Sequence, residues 1–268
     1  NWKRLKFRGE EGHGSMPYGT PNAVLKMSQA ALRLSRYDPP VETKFVGDLA
    51  RGLGLSRLTR FFLENKSLVP LAIKLSAKKD IGMAKVLHAL TRMTISPNVA
   101  RGGEKTNVIA GQATLDVDVR TLPGQDDEYV VRHLKRALGD LAPEVEIAKV
   151  PGVPTSVGNA SPSQSDFVDA MREAVRQCTT PDADLVPMLL TGASDTRFYR
   201  DVGSQAYGFS LFDDRLKLAE ITPLAHGDDE RISIGTLRLT AEVYERLARN
   251  FLTYPEPAYQ QSGFLTSA

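Results

Sequence analysis

The pattern of apolar and polar positions predicts an alternation of strands and helices along the first 150 residues. Asn1-Trp2-Lys3-Arg4 reads as a strand approaching a glycine turn, and Leu5 to Arg8 alternates apolar with basic residues. A polar turn follows, Gly9-Glu10-Glu11-Gly12-His13-Gly14-Ser15. A helix is predicted from Pro21, with Val24, Met27, Ala31 and Leu34 at helical spacing, and Pro39-Pro40 closes it. From about Asp48 to Thr91 the chain is rich in Leu, Ala, Lys and Arg. It predicts two or three short amphipathic helices broken by Gly52, Gly54 and Pro70. Strand signals return at Arg92 to Ser96 and most clearly at Thr114 to Arg120. There a period of two puts Leu115, Val117 and Val119 on one face and Asp116, Asp118 and Arg120 on the other. After the turn at Pro123-Gly124 comes a helix with Val130, Leu134, Ala137 and Leu138 inward, then a strand at Val145 to Ile147. The order β-α-(helical insert)-β-β-α-β suits an antiparallel sheet with helices on one face.

The polar stretch Gly152 to Ser165 reads as a domain crossing. Beyond it the pattern predicts a helix from about Pro162 to Cys178 and a buried strand at Leu185 to Leu190. It then predicts a short strand at Ala206 to Phe212, a helix from about Ile232 to Leu252, and a frayed tail over 256–268. The expected division is 2–150, 151–255 and the tail, an α/β chain of two domains whose first is α+β.

Composition narrows the function classes. With 268 residues and 41% hydrophobic residues the chain has enough apolar material for one large or two ordinary cores. A formal net charge of +2 implies neither a nucleic-acid nor a membrane partner. No apolar run approaches the ~20 residues of a membrane span. Cys178 is the sole cysteine, so no internal disulfide forms, which fits a cytoplasmic, reducing compartment.

Four histidines carry unequal weight. His88 and His133 sit within helical apolar patterns and read as structural. His13 and His226 lie in glycine-containing turns, where a rigid scaffold presents reactive groups. His226-Gly227-Asp228-Asp229-Glu230 precedes the last helix; a cap and the helix dipole account for the acids but not for the histidine. Glycines flank His13 and let backbone approach a ligand closely, or simply make a tight turn. The turn Thr191-Gly192-Ala193-Ser194-Asp195-Thr196-Arg197 offers backbone N–H groups to an anion if a helix follows, and Arg197 adds a carboxylate fork. A nucleophilic role for Ser194 is the competing reading, but the Gly-x-Ser-x-Gly elbow is missing. Gly102 to Gly111 is a glycine-bounded loop without a phosphate-loop signature, in which Asn107 serves at least as a turn cap.

Taken in order, four blocks resemble the zinc-dependent amidohydrolases and metallopeptidases that include aminoacylase, carboxypeptidase G, carnosine dipeptidase and succinyl-diaminopimelate desuccinylase. The blocks are Gly12-His13-Gly14-Ser15-Met16-Pro17; Thr106-Asn107-Val108-Ile109 with Asp118-Val119-Arg120; Gly192 to Phe198; and His226 to Glu230. The resemblance implies a lid, or dimerisation, domain over residues 2–150, with a helical insertion at about 48–91. It also implies the C-terminal part of an α/β zinc-hydrolase catalytic domain over 151–255. It assigns His226 as a zinc ligand, and His13 as an oxyanion donor reaching a partner subunit's site in a homodimer. Asn107, Arg120, Arg197 and the Gly192 backbone are assigned to a small substrate, an N-acyl amino acid or short peptide. The family's remaining ligands to its two zinc ions, and its glutamate base, precede the lid. The expectation is therefore that this chain alone is inactive. The rival functions are a non-catalytic dimerisation or binding module and a serine hydrolase built on Ser194.

Overall fold

Alternation along a strand buries one face only if neighbouring strands keep the same register, and here they do. In the computed structural model, which describes residues 1–153, 157–190, 192–211, 224, 227–228 and 230–252, six strands form. They are β1 (Trp2–Arg8), β2 (Gly12–His13), β3 (Thr94–Gly102), β4 (Val108–Ile109), β5 (Gln112–Arg120) and β6 (Val145–Lys149). Four make an antiparallel sheet in the order β3-β5-β1-β6, and β2 pairs with β4 as a separate ribbon. Leu5 faces Leu115 on one side and Ile147 on the other, while Phe7 faces Ala113 and Val145. These inward positions are fully or nearly buried, Ile147 apart. Pro97 lies in β3, an edge strand, where a missing N–H is tolerated, and the β3–β5 register shifts between Pro97 and Val99.

Nine helices are described. They are α1 (Ala23–Arg36), α2 (Lys44–Gly52), α3 (Arg57–Glu64), α4 (Val69–Ala77), α5 (Ile81–Thr91), α6 (Asp127–Leu138), α7 (Asp166–Cys178), α8 (Thr196–Asp201) and α9 (Ile234–Leu252). Helices α1 and α6 cover the sheet. Ala23, Met27, Ala30 and Leu34 of α1 and Val130, Leu134 and Leu138 of α6 share one core with Leu5, Phe7, Leu115, Val117 and Val119. Asn22 caps α1 by accepting from Val24 N–H at 2.9 Å, and Asp126 caps α6 by accepting from Tyr129 N–H at 2.8 Å. Lys3 shares the inward face of β1. Its side chain is fully buried, and its ammonium is satisfied by Asp127 at 2.5 Å, in the first turn of α6. His133 is also structural, buried with its Nδ1 2.6 Å from the Tyr37 hydroxyl.

Two readings of the pattern require correction. The helical insert holds four helices, α2 to α5, and begins at Lys44. Its small core comprises Val46, Ala50, Leu63 and Leu87. Leu185 to Leu190 and Ala206 to Leu211 form no strand, and Met188 and Leu190 are more than half exposed. A strand exists only with a hydrogen-bonding neighbour, and no described residue pairs with either run. Phe212 and the 256–268 tail lie outside the described residues.

The chain divides into two compact units. One holds Asn1–Ser161 with Met188–Gly208; the other holds Pro162–Pro187 with the described residues from Phe209 onward. In the second, α7 and α9 pack through Phe167 and Phe251, whose ring centroids are 4.9 Å apart, and through buried Met171, Val175, Val243 and Leu247. No described helix is long and apolar enough to cross a membrane.

One backbone junction joins β1, α1 and the ribbon. Gly9 N–H donates to Gly111 carbonyl oxygen at 2.8 Å, Glu10 N–H to Pro21 oxygen at 2.8 Å, and Ala23 N–H to Ala110 oxygen at 2.9 Å. A Cβ on Gly9 would stand 2.5 Å from Pro21 oxygen, 2.6 Å from Ala23 nitrogen and 2.7 Å from Ala110 oxygen. All three are backbone atoms and none can swing aside. We therefore expect Gly9→Ala to destabilise the chain by about 1–3 kcal/mol, measured by urea denaturation. Gly208→Ala, where a Cβ meets no described atom and the backbone is not left-handed, serves as the comparison.

Candidate active site

His13 stands at the tip of the β2–β4 ribbon and is exposed. Its backbone pairs with Val108, and the next residue, Gly14, donates its N–H to Asn107 carbonyl oxygen at 2.8 Å. The ribbon thus brings together two of the residues singled out in the sequence, His13 and Asn107. Of the two glycines beside His13, Gly14 has a structural cause. A Cβ on Gly14 would lie 3.1 Å from the Asn107 backbone, and one on Gly12 would lie 3.4 Å from the Ile109 side chain. Close approach of chain to chain, rather than of a ligand, explains Gly14.

Two hydrogen bonds orient the His13 ring. Ser15 N–H donates to Nδ1 at 3.2 Å, and the Ser15 hydroxyl lies 2.7 Å from the same nitrogen. A backbone N–H only donates, so Nδ1 carries the lone pair and the hydroxyl is a second donor to it. The neutral ring then holds its proton on Nε2. That N–H is a fixed donor, and the Asn107 side chain is exposed on the same ribbon. Nothing in the sequence reading isolated Ser15; the His-x-Ser spacing inside a glycine turn was the available signal.

Arg120 and Arg197 lie elsewhere. Arg120 ends β5, whose beginning at Gln112 adjoins the ribbon; eight residues of strand separate the two by about 27 Å. Its guanidinium engages Asp118 on the same face, with Nη2 donating at 2.8 Å. Burial first, then the charge of Arg120, holds the Asn1 amino group below its ordinary value, and Arg197 acts in the same direction. The Asn1 amino group donates to Val119 carbonyl oxygen at 2.9 Å, beside Arg120 at the end of β5 far from His13. Arg197 is the second residue of the short α8, its Cζ 4.6 Å from the Phe198 ring centroid. Asn159 ties this helix to the first unit by donating to Asp201 at 2.6 Å and accepting from Arg200 Nε at 2.8 Å.

Gly192 is exposed, and a Cβ there would meet only the Leu190 side chain, at 4.0 Å. Among the described residues nothing requires glycine at this position. Ser194 Oγ accepts from Thr196 N–H at 3.3 Å and from the Thr196 hydroxyl at 3.0 Å. That is a turn-capping role, and no described histidine hydrogen-bonds this serine. His226, Thr191 and Asp229 lie outside the described residues. Among the described residues no three His, Cys, Asp or Glu side chains gather as a metal ion needs. The described residues therefore do not fit a zinc centre.

Residues 1–146 match the peptidase dimerisation domain of the M20 family. The chain is 26% identical over 247 residues to probable carboxypeptidase S-like 2 of Dictyostelium discoideum, covering 91% of this chain and 45% of that protein. It is 26% identical over 219 residues to probable carboxypeptidase S-like 1 of the same organism, covering 80% and 43%. The chain thus spans somewhat under half the length of the curated relatives it matches. Its fold is similar to that of the Saccharomyces cerevisiae dipeptidase Dug1p, with a TM-score of 0.59 at 14% identity, covering 96% of this chain and 55% of that one. It is also similar to the M20 family metallo-carboxypeptidase Sso-CP2 of Sulfolobus solfataricus, with a TM-score of 0.57 at 15% identity, covering 92% and 56%.

The ring geometry makes a direct prediction. In the 15N-labelled chain near neutral pH, imidazole 15N–1H correlations should find neutral His13 in the Nε2–H form almost exclusively, and Ser15→Ala should admit the Nδ1–H form. A wild-type ring carrying its proton on Nδ1 would contradict the assignment.

Proposed function

We propose, on the premise that the chain belongs to the M20 peptidase family through its dimerisation domain, that it contributes the lid and part of the catalytic domain of a hydrolase. That enzyme cleaves an amide bond next to a carboxylate, in an N-acyl amino acid or short peptide. The observation that carries this reading is the oriented Nε2–H of His13 on the ribbon whose backbone also fixes Asn107.

In this reading His13 Nε2–H and the Asn107 amide donate to the carbonyl oxygen as it gains negative charge. Donors fixed before the reaction stabilise that charge without reorganising. Arg197, Arg120 and the Gly192 backbone hold the substrate carboxylate. For Arg120 this means sharing its fork with Asp118. Because His13 and Arg120 are about 27 Å apart along β5, they serve one substrate only if they come from different subunits. A two-fold dimer satisfies this, with each ribbon entering the partner's site. His226 is proposed as a metal ligand and zinc as the metal. The single cysteine accords with a cytoplasmic location.

The dimer contact we propose uses α1 and the free edge of β3. Leu25 and Leu32 are two helical turns apart on α1 and exposed at 61% and 49%, and Val99 on β3 is exposed at 39%. An open strand edge beside an apolar helix face invites an identical edge. The chain should sediment as a dimer, and Leu25→Glu with Leu32→Glu should leave a folded monomer. A wild-type chain that stays monomeric at all concentrations argues against the arrangement.

By itself the chain is proposed to dimerise without catalysing. One histidine at the expected ligand positions falls short of the three or four that zinc takes. Purified chain supplied with zinc should not turn over N-acyl amino acids or dipeptides, nor retain stoichiometric zinc through dialysis. Turnover, or retained zinc lost in His226→Ala, would refute this part of the proposal.

A further inference from the structure

The whole-chain charge of +2 conceals a segregation. Residues 44–91, which hold α2 to α5, contain nine Lys or Arg against three Asp or Glu, a net +6; the remainder has 25 against 29, a net −4. The same helices carry apolar side chains on their outer side. Leu58 and Phe61 of α3 are exposed at 68% and 58%, and Leu71 and Leu75 of α4 at 46% and 51%.

Helix α4 shows the problem most plainly. Ala72 and Ile73 pack against the small core of the insert. Leu71, Lys74 and Leu75 recur at helical spacing on its exposed side, and Lys78 and Lys79 continue just past its end. A helix that is apolar on both sides needs a second apolar environment. The cations beside it are also unspent. Arg51 pairs with Asp48 and Glu64, and Lys66 with Glu42. Arg57, Arg60, Lys74, Lys78 and Lys79 form an ion pair with no described residue.

We propose that α3 and α4 dock the protein on an anionic lipid surface. Leu58, Phe61, Leu71 and Leu75 enter the boundary between headgroups and acyl chains, and Arg57, Arg60, Lys74, Lys78 and Lys79 meet the headgroup charge. Interfacial helices combine these two features. At nine residues α4 lies on the bilayer rather than spanning it. A second copy of this chain suits the face less well. A two-fold contact would set the same cations against each other, and lysine is depleted at protein interface cores. This inference stands apart from the proposed amide hydrolysis and revises what the total charge implied about membranes.

The test is co-sedimentation of the 268-residue chain with vesicles of phosphatidylcholine containing phosphatidylserine, and with vesicles of phosphatidylcholine alone. Binding is expected to the first, at least about tenfold weaker binding to the second, and release by high salt. The triple variant Lys74→Glu, Lys78→Glu, Lys79→Glu should weaken binding by about tenfold or more, and Leu71→Ser with Leu75→Ser should abolish it. The lysines are at the surface, so the triple variant decides the matter if the leucine variant unfolds by circular dichroism. The proposal fails if the chain ignores phosphatidylserine vesicles or if the triple variant binds them undiminished. It fails equally if the only effect of these substitutions is to dissociate a dimer.

Discussion

The absence of a side chain at Gly9 is the constraint on which the first unit turns. Three carbonyl acceptors and three N–H donors from β1, the start of α1 and the segment after β4 meet within hydrogen-bond reach around it. The Ala23 N–H is one of the donors that a helix start leaves without an intrahelical partner, and Ala110 satisfies it. The same junction sets the exit of the chain from β1, and so the position of the ribbon that begins three residues later. Sheet, helix and His13 are thus fixed by one close approach of backbone. A core substitution in the sheet would loosen packing over a wide area, but a Cβ here would push apart the three segments that present the site.

The sheet then acts as a spacer. With β5 about 27 Å long, the ribbon and Arg120 are held at opposite ends. Arg120 stays with Asn1 at one end, while His13 and Asn107 stay together by backbone pairing at the other. A rigid antiparallel sheet gives the chain no means of folding one end onto the other. If one substrate engages both groups, as proposed above, they come from two copies, and the length of β5 is what sets that requirement. The Ser15 bonds to His13 bear on the same proposal, because they leave the proton of the neutral ring on Nε2, where the proposed donor needs it.

Much of this was legible in the sequence where the signal is local. The alternation through Thr114 to Arg120 gave strand, face and buried set together, since a pleated strand has one period and both its neighbours are in the chain. The heptad-like spacing of Val24, Met27, Ala31 and Leu34 likewise marked α1. The insert was less legible: α2, α3 and α4 run only eight or nine residues, too few turns for periodicity to separate one helix from the next. Strands β2 and β4 have two residues each, below any pattern, and their pairing depends on the Gly9 junction some distance away in sequence. Leu185 to Leu190 has the composition of a buried strand, yet composition supplies no partner, and the run pairs with no described residue and is partly exposed. For the site, the resemblance assigned His13 and Asn107 separate roles without bringing them together; their shared ribbon, the bonds of Ser15 and the engagement of Arg120 by Asp118 are matters of geometry. The charge segregation around α3 and α4 was present in the sequence throughout and was hidden by adding it to the rest.

The most direct measurement of the two-subunit account is complementation in the full-length enzyme. His13→Ala and Arg120→Ala proteins, each with little activity alone, are co-expressed or exchanged into mixed dimers and assayed for amide hydrolysis. If His13 serves the partner's site, a mixed dimer contains one site with both residues intact, and activity returns to about a quarter of wild type in a statistical mixture of subunits. If both residues belong to the same site within one subunit, no mixed dimer contains an intact pair, and the mixture stays as inactive as its components.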